Sequence, residues 1–225
     1  MDIYYEETGT GYPVLLLHGN QENHTIFDDL VRDLKHDWRL VAIDSRWHGR
    51  SARSGELSLA QMAKDTKAVA DELGLTEYDI IGFSDGANIA LTLAQDDPRI
   101  KHMILIGPNT NPKAIKTAYR IPYRLEMVLL LPFCLYAKNA RRRFRLYRFM
   151  FQEPHFSDEE LASIKVPTLI LSGHHDIIKT SDMDHIASCM PYCVHVILEG
   201  THFLLRDAYQ KTLKEIRRFL NESHK

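Results

Sequence analysis

Three short stretches of this chain, Val14–Leu17 (VLLL), Met103–Ile106 (MILI) and Thr168–Leu171 (TLIL), are almost uninterrupted apolar runs. A strand with one wet face alternates apolar and polar residues. Runs without alternation belong to strands covered on both sides, as in a parallel sheet. Ile3–Tyr5, Leu40–Ile43, Asp79–Gly82 and Cys193–Leu198 also read as strands. Amphipathic stretches lie between them at Ile26–His36, Leu57–Leu73, Asp85–Gln95, Ser181–Met190 and Asp207–Asn221, and Asp96-Asp97-Pro98 ends the third. This alternation predicts an α/β fold, a mostly parallel, doubly wound sheet of about seven strands with helices on both faces.

One interval breaks the rhythm. From Asn111 to Ile164 no strand pattern appears, only basic and apolar helical segments. About fifty residues are too many for a plain loop in a compact domain, so the interval should carry its own helices. The expected organisation is a core of residues 1–110 and 165–225, with a helical insertion at 111–164.

At 225 residues the chain suits one domain with a full hydrophobic core. No run reaches the roughly 18 apolar residues of a membrane span. The opening residues carry acids where a secretory signal would carry lysines, and three cysteines cannot all pair internally. The expectation is a cytoplasmic protein with free thiols. Cys189 and Cys193 lack the spacing of redox or zinc pairs, and His174 and His175, adjacent on one loop, are poorly placed to converge on an ion. Neither a metal nor a cofactor is expected.

The formal net charge of −2 conceals an asymmetry. Between Asn111 and Phe151 stand ten Lys or Arg and one acid, Glu126, a local charge of +9 that leaves −11 for the rest. The run NARRRFRLYRFM reads first as a solvated helix face against the acidic body. With the apolar LEMVLLLPFCLY upstream it also suits weak contact with anionic substrates or a phospholipid surface, short of stable membrane insertion. No nucleic-acid-binding module is recognisable, so no nucleic-acid partner is expected.

In open α/β sheets the ligand site lies off the carboxyl ends of the strands. Those ends carry HGNQ, DSRWHGRS, FSDG, GPN, SGHHD and EGTHF. Within them Gly82-Phe83-Ser84-Asp85-Gly86 fits G-x-S-x-G between a strand and a helix, where a sharp turn exposes the serine at a helix N-terminus. A hydroxyl is a poor nucleophile near neutral pH and needs a base, which in turn needs an orienting group. His202 follows the final strand, beside Gly200 that lets the loop turn. Asp176 follows the strand before it. Asp182 and Asp184 fall inside the next helix, away from its entrance.

LLLHGN (15–20), AIDSRWHGRS (42–51), IIGFSDGANIAL (80–91), VPTLILSGHHD (166–176) and EGTHF (199–203) together resemble the α/β-hydrolase family over nearly the whole chain. The resemblance implies a serine hydrolase, esterase-like, with Ser84 as nucleophile, His202 as general base and then acid, and Asp176 as the carboxylate orienting His202. It implies an oxyanion hole from the backbone N–H groups of Asn20 and Asp85, and a cap formed by the 111–164 insertion. His18 would brace the oxyanion loop, and Asp44 and His48 would fix theirs. Two features depart from the pattern: the usual opening edge strand is expected to be missing, and Trp47 replaces the first glycine of D-x-R-G-H-G-x-S.

Expected is hydrolysis of a small ester or related acyl bond through an acyl-enzyme. The alternatives are a non-catalytic, receptor-like fold binding a small ligand, and a hydrolase specialised for amino-acid esters. For the last, Asp85 and Phe83 are the candidate substrate contacts, because GFSDG resembles the elbow of hydrolases in which an acid beside the serine pairs with the substrate ammonium. The simpler reading of Asp85 is an acid complementing the dipole of its helix.

Overall fold

The computed structural model describes residues 2–224 and builds them around a seven-stranded sheet. Its strands are β1 (Tyr5–Thr8), β2 (Tyr12–Leu17), β3 (Trp38–Ile43), β4 (Tyr78–Phe83), β5 (Ile100–Ile106), β6 (Thr168–His175) and β7 (Cys193–Thr201). They lie in the order β1-β3-β2-β4-β5-β6-β7; β1 runs antiparallel to β3, and the other neighbours are parallel.

The double winding is legible within single strands. Leu15 and Leu17 of β2 pack on one side, with α2 (Leu59–Glu72), α3 (Asp85–Leu93) and α7 (Thr180–Cys189). Val14 and Leu16 pack on the other, with α1 (Asp28–Leu34) and the C-terminal helix. Two covered faces explain why VLLL needs no polar residue. The strand order reverses between β2 and β4, so the loops after these strands diverge and leave a crevice at the carboxyl edge.

Some boundaries differ from the sequence-based expectation for physical reasons. The first strand is displaced from Ile3–Tyr5 to Tyr5–Thr8, where its backbone pairs with Leu40–Ile43. As an edge strand it tolerates the charged Glu6 and Glu7, which an apolar pattern does not reveal. The helix expected at Asp207–Asn221 is split at Ala208 (φ −131°, ψ 29°) into a short α8 (Leu204–Asp207) and α9 (Tyr209–Ser223). In the DSRWHGRS loop, Trp47 sits at φ 68°, a left-handed backbone that a bulky side chain rarely adopts.

Between β5 and β6 the chain forms α4 (Thr117–Leu130), a tight 3-10 turn at Leu131–Leu135, α5 (Lys138–Met150) and α6 (Asp158–Ser163). Ser157 and Glu160 close α6 with a reciprocal capping box. The base of this segment is stitched to the loop after β6: Ile115 bridges Ile178, and Lys116 Nζ donates to the Asp176 carbonyl at 2.6 Å. Helix α4 is different, for none of its residues is buried.

Candidate active site

The turn after β4 is the tightest part of the crevice. Ser84 has φ 53° and ψ −117°, a strained conformation that points its side chain out of the strand–helix junction. The chain can make this turn only where no Cβ intervenes. A Cβ on Gly86 would lie 1.9 Å from the Leu17 carbonyl oxygen, and one on Gly82 would lie 2.6 Å from that of Gly86. Ser84 itself is partly exposed, while Phe83 and Asp85 on either side are buried.

Two further strand ends supply the partners. His202 Nε2 lies 3.0 Å from Ser84 Oγ, and His202 Nδ1 lies 2.7 Å from Asp176 Oδ1. Asp176 Oδ1 also accepts the Ile178 N–H at 2.9 Å. Burial alone would raise the Asp176 pKa, but the His202 contact and the Ile178 and Gly173 N–H groups hold it below the ordinary carboxylate value. An ionised, buried Asp176 fixes Nδ1 as the protonated nitrogen of His202 and leaves Nε2 free to accept from Ser84. Gly107, just past β5 at φ 64°, makes room for the imidazole; a Cβ there would stand 2.7 Å from His202 Cε1. The sequence reading missed Gly107, and its only signal was a glycine directly after a buried strand.

The loop after β2 faces Ser84. His18 Nδ1 donates to the Gly19 carbonyl at 2.7 Å, and its Nε2 accepts the Ser45 N–H at 3.0 Å. Burial lowers the His18 pKa to about 4, so it braces this loop as a neutral ring. Asp44 accepts N–H bonds from His24 and Arg50, tying its own loop. As the first residue of α3, Asp85 has an N–H without an intrahelical acceptor. The Asn20 N–H makes no hydrogen bond among the described residues.

The Asp85 side chain bears on both readings of the sequence. Its Oδ2 accepts from Asn20 Nδ2 at 2.9 Å, and the same amide group donates to the Leu146 carbonyl of α5 at 3.2 Å. A single amide thus joins the elbow helix, the loop after β2 and α5. Asp85 is buried, which raises its pKa to about 6. It does not line the adjacent cavity of about 240 Å³, which is bounded by Glu22, Ile26, Asp29, Phe83, Phe203 and neighbours.

Phe83, a candidate substrate contact from the sequence, does line that cavity. Glu22 also lines it and reaches the loop that faces the serine. Its Oε2 accepts the Gly19 N–H at 3.3 Å, and a Cβ on Gly19 would lie 3.0 Å from that oxygen and 3.1 Å from Ser84 Cβ. Burial raises the Glu22 pKa to about 7. No motif marks Glu22; its place on the HGNQE loop was the available clue.

Asp182 and Asp184 lie within α7, and Asp182 instead holds the Thr110 N–H and hydroxyl. Two groups away from the crevice bring metal-type ligands together: Asp79, His102 and His224, and Asp158, His185 and Cys189. The histidines of both groups are already engaged by their carboxylates, at 2.7–3.0 Å. His174 and His175, exposed beside Asp176, belong to neither.

A sequence profile described as alpha/beta hydrolase fold matches residues 12–133. The AB hydrolase superfamily protein YisY of Bacillus subtilis is 29% identical over 216 residues, covering 80% of each chain. A pimeloyl-[acyl-carrier protein] methyl ester esterase of Nitrosomonas europaea is 33% identical over 106 residues, 47% of this chain and 40% of its own length. The chain thus aligns with less than half of that esterase. The esterase EaEST of Exiguobacterium antarcticum superposes with a TM-score of 0.81 at 20% identity, covering 97% of this chain and 95% of its own. The enol-lactonase of Burkholderia xenovorans LB400 superposes with a TM-score of 0.80 at 19% identity, covering 97% and 96%. At these identities the superpositions establish the shared fold.

Proposed function

The chain belongs to the α/β-hydrolase family, and on that premise we propose that it is a serine hydrolase cleaving a small ester or related acyl bond through an acyl-enzyme. The observation carrying this reading is the continuous line of contacts from Ser84 Oγ through His202 to Asp176, at 3.0 and 2.7 Å. Hydrolysis of esters is also the activity named for two of the relatives above.

In this mechanism His202 Nε2 takes the Ser84 proton as Oγ attacks the acyl carbon. Asp176 steadies the resulting imidazolium. The carbonyl oxygen, now negative, is held by the Asp85 and Asn20 N–H groups, and the start of α3 adds its positive end. His202 then protonates the leaving group. A water deprotonated by the same nitrogen releases the acid and restores Ser84. None of these steps calls for a metal or cofactor.

The 111–164 segment acts as the cap in this reading, joined to the oxyanion loop through Asn20 and Leu146. The Asp85 carboxylate is a positioning group that holds Asn20, and through it the oxyanion loop, in register with the elbow. Phe83 and Glu22 face the acyl or leaving-group portion of the substrate. Three free thiols suit a reducing, cytoplasmic setting.

The test is Ser84→Ala. It should abolish labelling by a fluorophosphonate probe and lower ester turnover by on the order of 10⁴-fold or more, with the fold intact by circular dichroism. Undiminished labelling would remove Ser84 from the mechanism. Absence of turnover by the wild type across a broad acyl-ester panel, with tight ligand binding, would favour a receptor-like role.

A further inference from the structure

Helix α4 and the turn after it present an apolar surface that the other described residues leave largely uncovered. Ile121, Leu125, Val128 and Leu129 recur at i, i+4, i+7 and i+8, so they form one stripe, and each is more than half exposed. The turn extends this surface with Leu131, Phe133, Leu135 and Tyr136, the last two 75% and 87% exposed. Exposure that high marks side chains that project from the molecule. Contiguous apolar exposure on this scale is a signature of an interaction surface.

Cations border the stripe. Arg124 lies within it, and Lys138 and Arg141 follow Tyr136 at the start of α5, all exposed and without a salt bridge among the described residues. Glu126, the one acid between Asn111 and Phe151, is already engaged by Arg143 and Tyr147. Beside this border a hollow of about 310 Å³ is lined by Trp47, Arg53, Lys138 and Arg141, Arg142 and Arg145 of α5. Arg142 Nε donates to the Trp47 carbonyl at 2.6 Å, and Arg145 stacks 4.7 Å over its ring. The hollow is lined mainly by cations.

We propose that this face, the α4 stripe with the 131–136 turn and the adjoining cations of α5, docks onto the surface of an anionic phospholipid bilayer. The apolar side chains would enter the boundary between headgroups and acyl chains. The cations would lie at phosphate level, and Tyr136 at the interface between them. Charge favours this occupant over a second copy of the chain, because a symmetric pairing would set one +9 segment against another. No helix among the described residues is long and apolar enough to cross a membrane, so contact is confined to the surface.

Co-sedimentation with vesicles tests the proposal, using phosphatidylcholine alone and phosphatidylcholine with about a third phosphatidylglycerol. The full chain should partition onto the anionic vesicles at least ~10-fold more strongly, an advantage that high salt removes. Leu125→Ser with Phe133→Ser, and separately Arg124→Glu with Arg141→Glu, should each lower that partitioning by ~10-fold or more while melting as the wild type does. Tyr136→Trp should gain fluorescence that brominated acyl chains quench. Failure of the wild type to bind anionic vesicles, equal binding to neutral ones, or partitioning indifferent to both double variants would overturn the proposal. So would finding by sedimentation velocity that the stripe drives self-association without vesicle binding.

Discussion

Helices α3 and α4 are both rich in apolar residues, yet eight of the nine residues of α3 are buried and none of the fourteen of α4 is. Helix α3 starts at the strained Ser84 and is wedged between the sheet and α2. Its position is over-determined by backbone contacts such as that of Gly86 on Leu17. Helix α4 is held through its ends and its contact with α5. On the proposed reading the difference separates two tasks. Acyl chemistry needs groups fixed to within a fraction of an ångström, which a close-packed interior supplies. Recognition of a surface needs side chains left free to meet it.

The contrast can be broken most directly at its rigid end. Gly86→Ala must push a methyl group into the Leu17 carbonyl, so a loss of about 3 kcal/mol in urea denaturation, or no soluble protein, is expected. A loss below about 1 kcal/mol would mean the elbow is looser than its geometry implies.

Next in size is Asp85→Ala. Releasing Asn20 should lower kcat by roughly 10- to 100-fold on neutral and amino-acid esters alike, through a misplaced oxyanion N–H. A loss confined to amino-acid esters would put the carboxylate on the substrate ammonium instead.

A smaller effect concerns Glu22. Its folded pKa of about 7 exceeds the ordinary 4.5, so the folded state keeps a proton that the unfolded chain releases between those values. Stability should therefore fall as pH rises from about 4.5 to 7, by on the order of 1 kcal/mol for this group. Asp85 adds a parallel decline ending near pH 6. Thermal melts of Glu22→Gln across this range should show a shallower decline, and an unchanged slope would mean that Glu22 is well solvated.

At the flexible end, Leu125→Ser should change stability by no more than about 0.5 kcal/mol, since Leu125 is 58% exposed. A larger loss would mean that α4 closes onto the body in solution.

The sheet was readable because strands buried on both faces must be apolar throughout, and the elbow because a strand–helix turn that exposes a serine excludes side chains at residues 82 and 86. Asp176 and His202 were readable from position alone, at the ends of the last two strands. Gly107 and Glu22 were not, because a glycine's open space and a carboxyl's neighbours depend on chains that meet only after folding. The edge strand at Tyr5–Thr8 was misplaced for a related reason: its pairing rests on backbone hydrogen bonds that acidic side chains do not prevent.

Local sequence thus determined which elements form and which residue types stand at their ends, since periodicity, turn sterics and capping act over a few residues. Tertiary structure decided what those ends do together. It set Ser84 against a histidine 118 positions away, turned Asp85 onto Asn20 across 65 positions, and left the apolar stripe of α4 exposed among the described residues. These contacts join segments remote in the chain, and only the packing of the sheet and its loops brings them within hydrogen-bond range.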